Sequence, residues 1–187
     1  MLKYSEETVH NFRDTIKRLS GEDVARCYQC GKCTAGCPVA RDMDIMPNQV
    51  MRLAQLGLEE WALSSSTIWL CLSCETCSTR CPEDIDIARV MDTLRKMSTA
   101  EGYASPQTPI TDFHRLFLDS IRKHGRLNEI QLSVMHSLAV KQPTRDLGLA
   151  MRLVQKGKAN PIGAHVKDKD VVRKIFTETR RFVREGE

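Results

Sequence analysis

Aromatic residues are scarce in this 187-residue chain, at 5% of the total. Single-strand nucleic-acid binding relies on aromatic rings interleaved with basic residues, so that scarcity excludes nucleic acid as the expected partner. No run of 18 apolar residues occurs, so no membrane span is predicted. Strand-like alternation is missing throughout, which leaves an all-α fold. There is no Gly-x-Gly-x-x-Gly and no phosphate loop, and hence no implied nucleotide cofactor. Nor is there a nucleophile paired with a base, so no catalytic residue is assigned. Residues 1–20 read as a charged amphipathic helix without the apolar segment of a signal peptide, and the expected location is the cytoplasm. Thiols stay reduced there, so the eight cysteines are not expected to form disulfides. No cysteine follows position 81.

What is present is a duplication. The cysteines fall into two runs, Cys27, Cys30, Cys33, Cys37-Pro38 and Cys71, Cys74, Cys77, Cys81-Pro82, with counterparts at an offset of 44. Downstream, Asp42-Met43-Asp44-Ile45 echoes Asp84-Ile85-Asp86-Ile87 at an offset of 42. Each echo opens an apolar-periodic stretch, so the repeating unit is a site followed by a helix. Charge is distributed unevenly. Residues 1–103 carry 12 basic and 15 acidic side chains, a net of −3, whereas residues 104–187 carry a net of +7. A basic half of this kind fits an acidic protein partner.

Helical periodicity places Val9, Phe12, Ile16 and Leu19 on one face, with Ser5 as the cap and Gly21 past the end. Further helices are predicted over Pro47–Leu56, stopped by Gly57, over Leu58–Leu63, and from an Asp86 cap through Ile87, Val90, Met91, Leu94 and Met97. Ser105-Pro106 and Thr108-Pro109 mark a joint. Beyond it, helices are predicted over Thr111–Lys123, Leu127–Lys141, Thr144–Lys156 and Asp168–Glu185. Apolar stripes on the first (Phe113, Leu116, Phe117, Ile121) and last (Val171, Val172, Ile175, Phe176, Val183) read as core, with partner docking as the second task such stripes serve. The domains are therefore 1–103, a cysteine-bearing core, and 104–187, a helical extension.

A cuboidal iron–sulfur cluster takes one soft thiolate on each of four irons, and three cysteines in seven residues let one loop curl around three corners. In two-cluster proteins with this spacing the fourth cysteine, before proline, ligates the other cluster. That gives two [4Fe–4S] clusters, one on Cys27, Cys30, Cys33 and Cys81, the other on Cys71, Cys74, Cys77 and Cys37. Zinc sites, the competing reading, use two Cys-x2-Cys pairs across a longer loop and fit this pattern poorly. Gly31, Ala35, Gly36, Ser73 and Ser78 are small enough to bring amides near cluster sulfur. Arg26 and Lys32 beside the first run, against Glu75 in the second, predict a higher reduction potential for the Cys27-loop cluster. Trp61 and Trp69 flank the second run and are expected in the core, shielding it from water. The scattered His10, His114, His124, His136 and His165 read as surface or packing residues, and the eight methionines as gap fillers.

The two Cys-x2-Cys-x2-Cys-x3-Cys-Pro runs resemble the alpha-helical ferredoxin module, as also found in succinate dehydrogenase and fumarate reductase. With a helical extension and no earlier plant-type domain, the chain is most similar to the C-type iron–sulfur subunits of the soluble heterodisulfide reductase family of methanogenic archaea. The resemblance implies an electron relay. In that family an A-type partner, which carries flavin and iron–sulfur clusters, is supplied by a hydrogenase or formate dehydrogenase. It would pass electrons through the C-type protein to a cysteine-rich B-type partner. That catalytic partner reduces the disulfide of coenzyme M and coenzyme B. The alternatives are the same relay in another oxidoreductase with Cys-Cys-Gly domains, and a free ferredoxin-like carrier.

Overall fold

A computed structural model describes residues 6–103, 108–141, 147–157, 166 and 168–185. Ser5, most of the 105–109 joint, Thr144 and His165 therefore lie outside the described residues. Among those described there is no strand, and no helix is long and apolar enough to cross a membrane. Contacts divide the chain into two units, Met1–Gln107 and Thr108–Glu187.

In the first unit, α1 (Glu6–Ser20), α3 (Pro47–Gln55), α4 (Glu59–Leu63), α5 (Thr67–Leu70) and α7 (Ile87–Ala100) enclose one core. The one-turn helices α2 (Lys32–Ala35) and α6 (Thr76–Thr79) sit within the cysteine runs. Phe12 and Ile16 of α1 meet Val50, Met51 and Ala54 of α3, Leu63, Ile68, and Val90, Met91 and Leu94 of α7. Each large apolar side chain buried there contributes about 1.5–3 kcal/mol. Helix α3 opens on a buried Pro47, whose missing amide is not needed at a helix start. Asp86 caps α7 as expected, accepting from Arg89 N at 3.0 Å. Gly57 follows α3 with φ +66°, and its α-carbon passes so close to α1 that a β-carbon would lie 2.5 Å from Val9 Cα.

Two sequence expectations fail here. Leu19 is 52% exposed, because the buried stripe of α1 runs 12, 16, 20. Ser20 takes the inward place, donating to Ile16 O at 2.6 Å and accepting from Glu22 N at 3.0 Å. Trp69 is in the core, but Trp61 is 60% exposed. It borders an open groove with Gln29, Ile45, Arg52 and Leu53.

In the second unit, α8 (Thr108–His124), α9 (Glu129–Ala139), α10 (Leu147–Gln155) and α11 (Lys169–Glu185) follow the expected order. Helix α8 begins three residues earlier than predicted, since Pro109 suits a first turn. Asn128 caps α9, accepting from Gln131 N at 3.0 Å and donating its own amide to Ser120 Oγ at 3.1 Å. Phe113 packs edge-on against His136, with ring centroids 5.6 Å apart. The stripes are not a closed core. Among the described residues of this unit only Leu132 is a buried large hydrophobic, while Leu138, Leu149, Val171 and Ile175 are well exposed.

Candidate metal centres

The duplication seen in the cysteine spacing is reproduced residue by residue in the backbone. Gln29 and Gly31 in the first run, and Ser73 and Glu75 in the second, all have positive φ. These are counterparts 44 residues apart. Three of the four carry side chains, for which left-handed backbone is costly, so both loops are held in a strained curl. Amides reach sulfur: Thr34 N at Cys33, Ser73 N at Cys71, Thr76 N at Cys74 and Ser78 N at Cys77.

The runs cross after their third cysteines. A small, partly enclosed cavity of about 20 Å³ is lined by Cys71, Cys74 and Cys77 together with Cys37 from the other run. Its remaining wall includes Val39, Met43, Leu72, Ile87 and Met91. On the opposite side, Tyr28 neighbours both Cys30 and Cys81. Arg26 beside the first run donates to Glu83 O at 2.7 Å, two residues past Cys81. The crossing point is Gly36 and Arg80, which are repeat counterparts. A β-carbon on Gly36 would lie 2.8 Å from Arg80 Cδ, so the bare glycine gives the end of that side chain room.

Each loop is tied to the helix that follows it. Thr34 Oγ1 accepts from Asn48 N at 3.1 Å, and Ser78 Oγ accepts from Ala88 N at 3.3 Å. Gln55 Nε2 donates to the carbonyls of Val24 (3.0 Å) and Cys27 (2.6 Å). The Arg95 guanidinium donates to the carbonyls of Ile68 (2.9 and 2.7 Å) and Cys71 (3.0 Å). Val24 and Ile68, like Cys27 and Cys71, are counterparts at 44, but Asn48 and Ala88, and Gln55 and Arg95, are 40 apart. The helices thus repeat in a register four residues shorter than the loops. The sequence echo at 42 is neither register, and its two aspartates do different work. Asp86 caps the helix of its own repeat. Asp44 instead reaches to the start of α5, accepting from Ser66 N (2.8 Å), Thr67 N (3.0 Å) and Thr67 Oγ1 (2.7 Å). Burial pushes the Asp44 carboxyl up, but those hydrogen bonds outweigh it and hold it at about 2.

The family model for the 4Fe-4S dicluster domain matches residues 23–85, which contain all eight cysteines. Among known proteins, the chain is similar to the C-type subunit of the H(2):CoB-CoM heterodisulfide,ferredoxin reductase of Methanothermobacter marburgensis, at 34% identity over 51% of each chain. It is also similar to a C-type iron–sulfur subunit of the CoB–CoM heterodisulfide reductase of Methanocaldococcus jannaschii, at 40% identity over 52% of this chain and 56% of that one. Against these two the chain spans about half of the relative's length. A longer match is to the C-type subunit of the Ferredoxin/F(420)H(2)-dependent CoB-CoM heterodisulfide reductase of Methanosarcina acetivorans, at 33% identity over 72% of this chain and 75% of that one. The chain belongs to the family of C-type heterodisulfide reductase subunits.

The cofactors of this family member are two [4Fe–4S] clusters. The residues present fit them. Among the described residues, no group of three or more His, Cys, Asp or Glu is placed to hold a metal ion. A cubane asks for something else, four thiols spread around a volume with one iron each, and the sulfur-lined cavity offers that. Burial raises the Cys33 and Cys71 thiols above their ordinary value and pushes Cys77 up to about 11. Cys74, hydrogen-bonded by the Thr76 side chain and amide, is lowered. Thiols raised in this way would bind as thiolates where the iron of a bound cluster supplied the compensating positive charge. Sequence reasoning missed the Gln55 and Arg95 clamps. Their signal was a repeat offset of 40, which the cysteine offset of 44 hides.

Proposed function

We propose that this chain is the electron-relay subunit of a heterodisulfide reductase. In this reading Cys27, Cys30, Cys33 and Cys81 hold one cluster, and Cys71, Cys74, Cys77 and Cys37 hold the other. When bound, the clusters supply one-electron steps that carry electrons from a flavin subunit to a cysteine-rich catalytic subunit, which reduces the coenzyme M–coenzyme B disulfide. The protein's own residues keep the two centres close by exchanging their fourth ligands, and the amide-lined loops stabilise the charge of the bound thiolates. Residues 104–187 form the docking region. Their exposed Leu138, Leu149, Val171 and Ile175 supply the apolar contacts, and the net charge of +7 attracts an acidic partner surface.

The single observation that carries this reading is the cavity in which Cys37 joins Cys71, Cys74 and Cys77. The test is anaerobic isolation of the native assembly, followed by identification of its subunits and EPR of the reduced chain. A flavoprotein and a cysteine-rich protein should co-purify with two cubane centres per chain. A cluster-loaded monomer without partners would refute the relay role, and zinc in place of iron would refute the cofactor.

A further inference from the structure

The two clamps occupy equivalent places but differ in charge. Gln55 grips the Val24 and Cys27 carbonyls with a neutral amide, and Arg95 grips the Ile68 and Cys71 carbonyls with a guanidinium. We propose that this pair sets the two clusters apart electrically, Arg95 making the cluster on Cys71, Cys74, Cys77 and Cys37 the easier one to reduce. The inference rests on the ligand sets proposed above. It reverses the order expected from Arg26, Lys32 and Glu75 in the sequence.

Burial decides between the charges. Arg95 is 17% exposed at its side chain, whereas Arg26 is 53% exposed and already engaged by Glu83, its carboxylate 3.8 Å away. Lys32, Glu75 and Arg80 are exposed. Exposed charges are screened by water and salt, so they act weakly on a centre several ångströms away. Asp92 comes within 3.8 Å of Arg95 but turns its other oxygen to Lys96 at 2.7 Å, and so offsets the guanidinium only in part. Reduction adds one electron to a cluster without a covalent change in the chain. A fixed, half-enclosed cation nearby favours that added negative charge.

The test is a potentiometric EPR titration of the full chain, anaerobic and cluster-loaded, with each signal assigned by its loss in Cys37→Ala or Cys81→Ala. Wild type should show the Cys37-dependent centre at the higher potential. Arg95→Gln should weaken reduction of that centre about tenfold, equal to about 59 mV for a one-electron couple, with little change in the other. Arg95→Lys should retain most of the effect. The converse variant, Gln55→Arg, should raise the Cys81-dependent centre, and it decides the matter if Arg95→Gln fails to hold its clusters. An unshifted Cys37-dependent centre, equal shifts in both, or a loss in Arg95→Lys as large as in Arg95→Gln would overturn the inference. Failure of the ligand sets would look different. Cys37→Ala would then remove the wrong centre, or both.

Discussion

Gly57 and Gly102 both take left-handed backbone, with φ +66° and +71°, but their surroundings differ completely. A β-carbon at Gly102 meets nothing within 4 Å, whereas one at Gly57 would sit 2.5 Å from Val9 Cα and 3.1 Å from Val9 Cγ2. Alanine at either position incurs the left-handed penalty, about 1–2 kcal/mol. Only at Gly57 must backbone also move. The contact is with the α-carbon of a helix, which cannot swing aside as the end of a side chain can. Displacing α1 strips apolar contact from Phe12 and Ile16, which are 2% and 0% exposed. Losing a third to a half of the burial of two such side chains costs a further ~1–3 kcal/mol. Gly57→Ala is therefore expected to destabilise the chain by about 2–5 kcal/mol, and Gly102→Ala by about 1–2. The assay is anaerobic guanidinium unfolding of the cluster-loaded chain, followed by far-UV circular dichroism and by visible absorbance. Cofactor-bearing proteins do not unfold in two states, so the comparison is of midpoints between the two variants. Equal midpoints would show that the approach of α1 to the α3–α4 turn is not a stabilising contact, and the steric reasoning would fail.

The proposed exchange of fourth ligands predicts paired phenotypes: Cys81→Ala and Cys33→Ala leave the same surviving EPR signal, and Cys37→Ala and Cys77→Ala leave the other. Cys81→Ala pairing with Cys77→Ala instead would show that each run holds its own cluster. Asp44, held at about 2 against an ordinary 3.8, contributes stability that is fully present above about pH 4 and lost as pH falls toward 2. After allowance for its exposure this is about 1 kcal/mol, and Asp44→Asn should flatten the helical circular dichroism profile across that range. Leu94→Ala, at a fully buried position of α7, should cost about 3–5 kcal/mol in the unfolding assay. A cost under about 1 kcal/mol would mean the core closes over the gap.

The cysteine runs were legible because ligand spacing is a local property. Two residues between thiols say how a loop must curl before any partner is known. Helices α1, α3, α7, α8, α9 and α11 were legible for the same reason, since Phe12, Ile16 and Val90, Met91, Leu94 recur at helical intervals and Asp86 announces a cap. What stayed hidden depends on contacts between distant segments. Nothing near Asp44 says that its oxygens serve the start of α5 rather than α3. Nothing near Trp61 says that its ring borders solvent. The 40-residue register of the helices was masked because eight residues separate Pro38 from Pro47, against four between Pro82 and Ile87. The first copy spends the difference on a short turn, Ala40–Asp42. The stripes of the extension were legible as apolar faces, but periodicity does not distinguish a face that packs within its own chain from one left for another.

The two copies are also not interchangeable, and the difference is visible where Gly36 meets Arg80. Where equivalent segments pass around a common centre, both cannot place a bulky side chain there. The end of the exposed Arg80 side chain lies over its counterpart Gly36, and a β-carbon there would make it swing aside. The same logic extends outward to the clamps. The loop carbonyls at positions 24 and 27, and at 68 and 71, need donors in both halves, and either an amide or a guanidinium satisfies them. Hydrogen bonding fixes that a donor must be present and leaves its charge free. A duplicated iron–sulfur fold can therefore keep both loops in one geometry while varying the charge beside each centre. Asymmetry between two clusters in nearly identical frames then follows from a single side chain.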